Sequence, residues 1–275
     1  MTSRNEQILK PRLGLGTWQM GNSRDSRASE VAALRAGIEM GINVIDTAEM
    51  YASGGAEEVT GEALAGWRDQ VFLVTKVLPS NASYDGTISA CEKSLKRLGT
   101  DVIDLYLLHW VGSHPLNKTI DAFETLRERG LIKQWGVSNF DVDEMEEVWA
   151  HPAGANCAVN QVYYSLGARG IEYDLLPWQK EHDVATMAYC PLDQGRIVNA
   201  TQLQPLADKH NATYAQIALA YLMTNPDVIP IPKTAKVTRV TENAQARDIV
   251  FDAEDLALLD KLYPPPTSKV PLKTS

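Results

Sequence analysis

Eight short apolar runs, rich in β-formers, punctuate this chain, and their spacing limits the fold more than any other feature. They are LGLGTW (residues 13–18), INVIDTA (42–48), VFLVTKV (71–77), VIDLYLLHW (102–110), IKQWGVSNF (132–140), CAVNQVYY (157–164), VATMAYCPL (184–192) and VIPIPKT (228–234). Most are continuous rather than alternating, the pattern of parallel strands buried on both faces. Helix patterns lie between them. SEVAALRAGIEMG (29–41) has apolar residues at helical spacing and ends in glycine, a C-cap signal. TISACEKSLKRLG (87–99) does the same with basic residues in its last turns, and NKTIDAFETLRERG (117–130) repeats the scheme. Thr213 and Gln216 form a capping box that opens IALAYLMT. Strand follows strand at about thirty residues over most of the chain, as in βαβ units.

Alternating strands and helices in one chain of 275 residues predict an α/β protein, a (β/α)8 TIM barrel. The rival is a doubly wound open sheet, but no GxGxxG follows the first strand. With no low-complexity linker or composition break, residues 1–275 read as a single domain, and the proline-rich stretch 264–275 as an irregular tail. The net charge of −9 argues against nucleic acid or an anionic membrane as partner. Cys91, Cys157 and Cys190 are scattered and show no CxxC spacing, so neither a disulfide framework nor a zinc site is expected. The opening MTSRNEQILKPRL is polar, without the apolar core of a signal peptide. No run approaches the ~18 apolar residues of a membrane span. These features together suggest a cytoplasmic protein.

In a barrel the chemistry sits at the C-terminal ends of the strands. Strand two ends in Asp46, with Tyr51 in the loop beyond. Strand three ends in Lys76 and strand four in His109. Strand five ends in Ser138 and Asn139, and strand six carries Asn160 and Gln161. Strand seven ends in Tyr189 and strand eight in Lys233. Taken singly, each has a bland reading: a capping aspartate, a strand-end lysine, a core-edge histidine, a loop aromatic. Jointly they would place a carboxylate, a phenol, an ammonium and an imidazole in one mouth, where unpaired charge is costly.

The groups suit proton transfer. A tyrosine titrates near ~10 in water, and a nearby ammonium favours its phenolate and lowers that value. An aspartate beside the lysine keeps it charged and in place, and a neutral histidine donates to a carbonyl oxygen. The set fits protonation of an oxygen that is gaining negative charge. None of the four is a hydride donor, so a redox reaction requires a cofactor.

The stretches LGLGTW, VIDTAEMY, FLVTK, DLYLLHW, GLIKQWGVSNF, NQVYY, AYCPL and IPIPKTAKVTRVTENAQA occur in this order over nearly the full length. In this the chain resembles the aldo-keto reductase family. The resemblance implies a barrel that binds NADPH without a Rossmann fold and reduces carbonyl compounds. It implies Tyr51 as general acid, Lys76 as the group that tunes it, Asp46 as the partner of Lys76, and His109 as the orienting group. Ser138, Asn139 and Gln161 match positions that hold the nicotinamide carboxamide, and Tyr189 the aromatic that stacks on the ring. Gly16, Thr17 and Trp18 match the first loop under the cofactor. Cys190, Pro191, Leu192 and the loop 193–196, Gln194 included, should run beside the pyrophosphate. Lys233, Thr234 and Arg239 match a clamp for the adenosine 2′-phosphate, and Glu242 and Asn243 the adenine contacts. Lys233, Lys236 and Arg239 also form a basic cluster in an acidic chain, which suits phosphate oxygens.

One departure is Cys190, where many members have serine; its bland reading is an inert small core residue. The stretch VGSHPLN (111–117) and the tail are short, so the mouth should be open, lined by Trp18, Met50, Tyr51 and Trp110. Within the family, DTAEMYASGGAEEVTGEAL and RGIEYDLLPW carry a resemblance to bacterial methylglyoxal-reductase-like members. This implies α-dicarbonyls or related diketones as substrates, with a 2,5-diketogluconate-type keto-sugar acid as the nearest variant. It also implies a monomer with no metal. Two other classes stand beside this reading: a cofactor-bound, redox-sensing subunit of a membrane channel, and a metal-dependent barrel hydrolase. The first would show no turnover, and the second would lose activity in a chelator.

Overall fold

A computed structural model of the chain describes residues 6–10 and 12–275. The first residues of the polar opening stretch, 1–5, lie outside it, as does Pro11. All eight apolar runs contain strands. These are β1 (Gly14–Gly16), β2 (Val44–Asp46), β3 (Phe72–Val77), β4 (Ile103–Leu108), β5 (Ile132–Ser138), β6 (Cys157–Tyr163), β7 (Ala185–Tyr189) and β8 (Val228–Pro230). They pair in parallel in the order β1 to β8. The amide of Gly16 donates to the carbonyl of Pro232 at 3.1 Å, and Gly16 bridges Lys233 in parallel. That contact brings the chain beyond β8 back to β1, so the sheet is a nearly closed (β/α)8 barrel.

The helices fill the connections. They are α1 (Glu6–Leu9), α2 (Arg24–Glu39), α3 (Gly55–Leu64), α4 (Tyr84–Leu98), α5 (Leu116–Glu128), α6 (Val142–Trp149), α7 (Leu175–Glu181), α8 (Gln204–His210), α9 (Tyr214–Leu222), α10 (Val237–Gln245) and α11 (Ala253–Leu262). The apolar pattern places the start of α2 too late. Ser23 caps it by accepting from the Asp25 amide, so the helix begins in a polar turn that carries no periodicity. Asp141 and Glu144 form a capping box that opens α6, and Thr213 and Gln216 form the expected one at α9. No regular element follows α11.

The core has two layers. Inside the barrel, Val44, Phe72, Val74, Leu105, Leu107, Val159, Met187 and Ile229 pack together. Between sheet and helices lie Ile45, Leu73, Tyr106, Val162, Ala188 and the apolar helix faces. Both faces of each strand are therefore buried, which explains the continuous apolar runs. The period of two also determines what lies at the mouth. Val44 leads to Asp46 on the inner face; Phe72 and Val74 lead to Lys76; Leu105 and Leu107 lead to His109; Ala185 and Met187 lead to Tyr189. No helix among the described residues is long and apolar enough to cross a membrane.

Candidate active site

The top of the barrel interior gathers the four residues singled out for proton chemistry. Lys76 is fully buried, and its ammonium has three acceptors: Asp46 Oδ2 at 2.8 Å, the Thr47 carbonyl at 2.8 Å and the Tyr51 hydroxyl at 3.3 Å. That number equals its three hydrogens. Asp46 Oδ1 accepts from Gln161 Nε2 at 2.7 Å, so both carboxylate oxygens are used. Burial opposes the Lys76 charge, but Asp46 and Tyr51 outweigh it and raise the lysine's pKa.

The expectation for Tyr51 needs correction. Burial is the largest influence and raises the phenol's pKa; Lys76 pulls it back only in part, while Asp46 adds to the rise. The net direction is upward, because taking a phenolate out of water costs more than one ammonium returns once that ammonium already belongs to a carboxylate. Tyr51 is thus a protonated phenol at neutral pH, poised to give a proton.

His109 faces Tyr51 edge-on, with ring centroids 5.7 Å apart. Burial, and then the Lys76 charge, lower its pKa to about 2. Its Nδ1 is buried with no hydrogen-bond partner among the described residues. The tautomer with its proton on Nε2 directs a neutral donor at the mouth. Since the usual value is 6.5, the unfolded chain takes up a proton at this residue below that pH while the folded chain excludes it. Stability therefore falls on acidification between those two values. His109→Gln is expected to lose less stability than the wild type between about pH 7 and 5 in urea titrations. Equal losses would contradict a buried neutral imidazole.

Tyr51 is presented by an unusual turn. Ala52 (φ 51°, ψ 35°) and Ser53 (φ 52°, ψ 42°) are left-handed, and Gly54 follows at φ 94°. Each of the two non-glycine residues costs about 1–2 kcal/mol there. Glu49, between Asp46 and the turn, accepts from the Leu78 amide at 2.7 Å and from Asn81 Nδ2 at 3.0 Å. It fastens the loop beyond β3. The apolar side chains Trp18, Met50 and Trp110 are exposed, and Trp110 packs against the His109 ring at 4.8 Å.

The residues proposed for the cofactor fall around the same mouth. Asn139, at φ 60°, donates to the His109 carbonyl and to Ser138 Oγ, and its Oδ1 accepts from the Tyr189 hydroxyl at 2.7 Å. With Gln161 Nε2 committed to Asp46, the Ser138 hydroxyl hydrogen and Gln161 Oε1 have no partner among the described residues. One donor and one acceptor match a primary carboxamide. Thr17 bonds the Asp46 carbonyl through both its amide and its hydroxyl, at 3.0 Å each. A side chain at Gly16 would press within 2.9 Å of the Ile231 carbonyl, so the first loop needs glycine there. Lys233, Lys236 and Arg239 are exposed and make no side-chain hydrogen bond or ion pair among the described residues, three uncommitted cations near the β8 end. Lys233 itself lies beyond β8 rather than within it. Glu242 accepts from Thr213 Oγ1 at 2.7 Å, and Asn243 is buried in α10. Asn160, counted among the polar strand ends, bonds Phe140 and Gln179 instead, on the opposite face of β6 from Gln161.

The loop beyond β7 (Pro191, Leu192 and Gln194 included) bends through left-handed residues at Cys190, Asp193 and Gln194. Cys190 is only half-buried rather than a core residue, yet burial still pushes its thiol up to about 11. Asp193 accepts from the Tyr163 hydroxyl at 2.5 Å and from Lys273 at 2.9 Å.

Lys273 was not singled out from the sequence. It belongs to the tail, which is irregular but tied down: Lys269 pairs with Asp141 and Asp174. Arg169 bonds Asp260 of α11 and the Tyr263 carbonyl, just before the tail. A side chain at Gly170 would sit 2.5 Å from Val270. RGIEYDLLPW is thus where the tail docks. The tail walls the β5–β7 side of the mouth, which leaves the side with Trp18, Met50 and Trp110 open. No sequence periodicity marks such long-range pairs.

A cavity of about 910 Å³ lies at the other end of the barrel, where Arg68 and Lys133 both pair with buried Asp104. That is the face of a barrel where conserved chemistry is not built.

Comparison with known proteins identifies the family. The profile of the aldo/keto reductase family matches residues 12–264. The chain belongs to the aldo/keto reductase family. It is 51% identical over 270 residues to methylglyoxal reductase YeaE of Escherichia coli K12, covering 96% of this chain and 95% of that protein. It is 33% identical to glyoxal reductase of Bacillus subtilis 168, covering 93% and 90%. Among solved structures, an aldo/keto reductase from Klebsiella pneumoniae in complex with NADP and acetate superposes with a TM-score of 0.94 at 50% identity, covering 96% of this chain and 95% of that one.

Proposed function

We propose that this aldo/keto reductase is an NADPH-dependent reductase of small carbonyl compounds, with α-dicarbonyls such as methylglyoxal as its substrate class. The observation that carries the reading is the chain of contacts from Asp46 through Lys76 to the Tyr51 hydroxyl, opposite a neutral His109 in one mouth. When bound, NADPH supplies the hydride for the carbonyl carbon. Tyr51 holds the proton that the carbonyl oxygen takes up. Lys76 steadies the phenolate left behind, and Asp46 keeps Lys76 charged and fixed. His109 donates to the carbonyl oxygen from its accessible nitrogen, so the oxygen meets two donors as it gains charge. Ser138 and Gln161 would hold the carboxamide, and Tyr189 would carry the ring.

The short side chains of an α-dicarbonyl fit a mouth walled by the tail on one side and by Trp18, Met50 and Trp110 on the other. Relatives named for methylglyoxal and glyoxal support the same class. A panel of α-dicarbonyls, simple aldehydes and keto-sugars should give the highest kcat/KM for the dicarbonyls. Preference for keto-sugars would overturn the substrate class, and nicotinamide absorbance that stays flat across the panel would overturn the reductase reading. We read the whole chain as one domain, acting in the cytoplasm as a monomer without nucleic-acid, membrane or metal partners.

The uncommitted Lys233, Lys236 and Arg239 suit a 2′-phosphate, and Arg239 supplies its planar fork. Arg239→Ala should weaken NADPH binding by about tenfold or more, as for loss of a charge-assisted hydrogen bond of ~1.5–3 kcal/mol, and leave NADH nearly unchanged. Equal losses for both cofactors in fluorescence titrations would refute the assignment.

A further inference from the structure

We propose that Glu57, outside the mouth, is a positioning residue that sets the Tyr51 phenol against Lys76. The inference rests on the carbonyl-reductase reading and extends it to a buried clamp behind the site. Glu57 is fully buried in the first turn of α3, just beyond the left-handed turn that presents Tyr51. Its Oε1 accepts from Thr75 Oγ1 at 2.6 Å, and its Oε2 meets Arg97 Nε at 2.6 Å. Thr75 immediately precedes Lys76 and points to the opposite face of β3. One carboxylate therefore joins the helix that follows the phenol's turn to the strand that carries the ammonium.

The turn itself is wedged against the same clamp. A side chain at Gly54 would come within 2.6 Å of Arg97 Cδ, so the Arg97 stem lies directly against the turn. On its other side, a side chain at Gly21 would come within 2.3 Å of the Gly55 backbone. Arg97 also donates to Ser94 Oγ at 3.1 Å, which fixes it to α4. Ala52 and Ser53 hold a conformation they would leave if free, so something outside the turn must keep them there. Glu57 and Arg97 are placed to do so. Apolar packing could join helix to sheet at such a point. A buried charge pair adds direction, because its hydrogen bonds fail if the parts slide.

The effect to read is on chemistry rather than on folding. A phenol that drifts from Lys76 loses part of the attraction that favours its phenolate, so its pKa rises further. Glu57→Gln keeps the size and removes the charge. Its kcat for methylglyoxal reduction should fall about 10- to 100-fold per folded molecule, the scale of a small misplacement. NADPH affinity should stay as in the wild type, and the alkaline limb of the kcat profile should move to higher pH. Thr75→Val, which keeps the Glu57–Arg97 pair, should show the same shift in smaller measure, and it keeps the test open if Glu57→Gln fails to fold. A clamp that merely stabilises would lower the amount of folded enzyme and leave the limb in place. Wild-type kcat and limb in the folded variants would overturn the proposal. Wild-type enzyme without turnover would overturn the reading on which it rests, and the clamp with it.

Discussion

Tyr51→Phe is expected to lower kcat for carbonyl reduction by about 10²- to 10⁴-fold, the range that a positioned general acid supplies. The ring stays, so the edge contact with His109 and the turn beyond are preserved. Only the hydroxyl goes, and with it the third acceptor of Lys76. NADPH should bind nearly as before, as a fluorescence titration of the variant would read. Because burial raises the phenol's pKa, wild-type reduction should hold level through neutral pH and decline only in alkali. Alcohol oxidation needs the phenolate and should rise over the same alkaline range. Tyr51→Phe enzyme that turns over like the wild type would sink the proton-donor role.

Lys76→Met is expected to cost both stability and activity, and a second substitution separates the two. Lys76 is fully buried and Asp46 nearly so. Removing one partner leaves a buried carboxylate without its charge, at a cost of about 3–5 kcal/mol. Urea titration should show this as a lower midpoint with an unchanged slope. Asp46→Asn placed on top removes the stranded charge and should recover much of the stability, since Gln161 can still donate to the amide oxygen. Activity should stay lost in the double variant, because nothing steadies the phenolate. A double variant that regains turnover would show that the ion pair serves the fold alone. A single variant as stable as the wild type would mean that water reaches Asp46.

The fold was legible because a barrel strand is buried twice. VFLVTKV reads as a continuous run since Leu73 and Val77 meet helices while Phe72 and Val74 meet the barrel interior. Asp46, Lys76 and His109 were legible because each closes its apolar run, at the strand end where barrel chemistry sits. Helix starts were less legible: the first turn of α2 is polar throughout, and its signal is the Ser23 cap rather than periodicity. The sense of the Tyr51 shift is not legible in the sequence either. Neighbours in a motif suggest which charges meet, but how much water is excluded depends on packing from every side. Glu57, Lys273 and the docking of the tail at Gly170 and Asp174 stayed hidden for a related reason. Each joins segments far apart in the chain, and neither composition nor spacing encodes such meetings.

The bridge between Gly16 and Lys233 has a consequence for how the protein comes to exist. It joins the first strand of the barrel to the segment just past the last, so the loop proposed to lie under the cofactor sits beside Lys233, one of the cations proposed for its phosphate. Contacts between such distant segments form late and slowly in folding. A nascent chain emerging from the ribosome could build most of the barrel and still lack that contact. The pairing that closes the barrel is thus also the one that sets Lys233 beside the first loop.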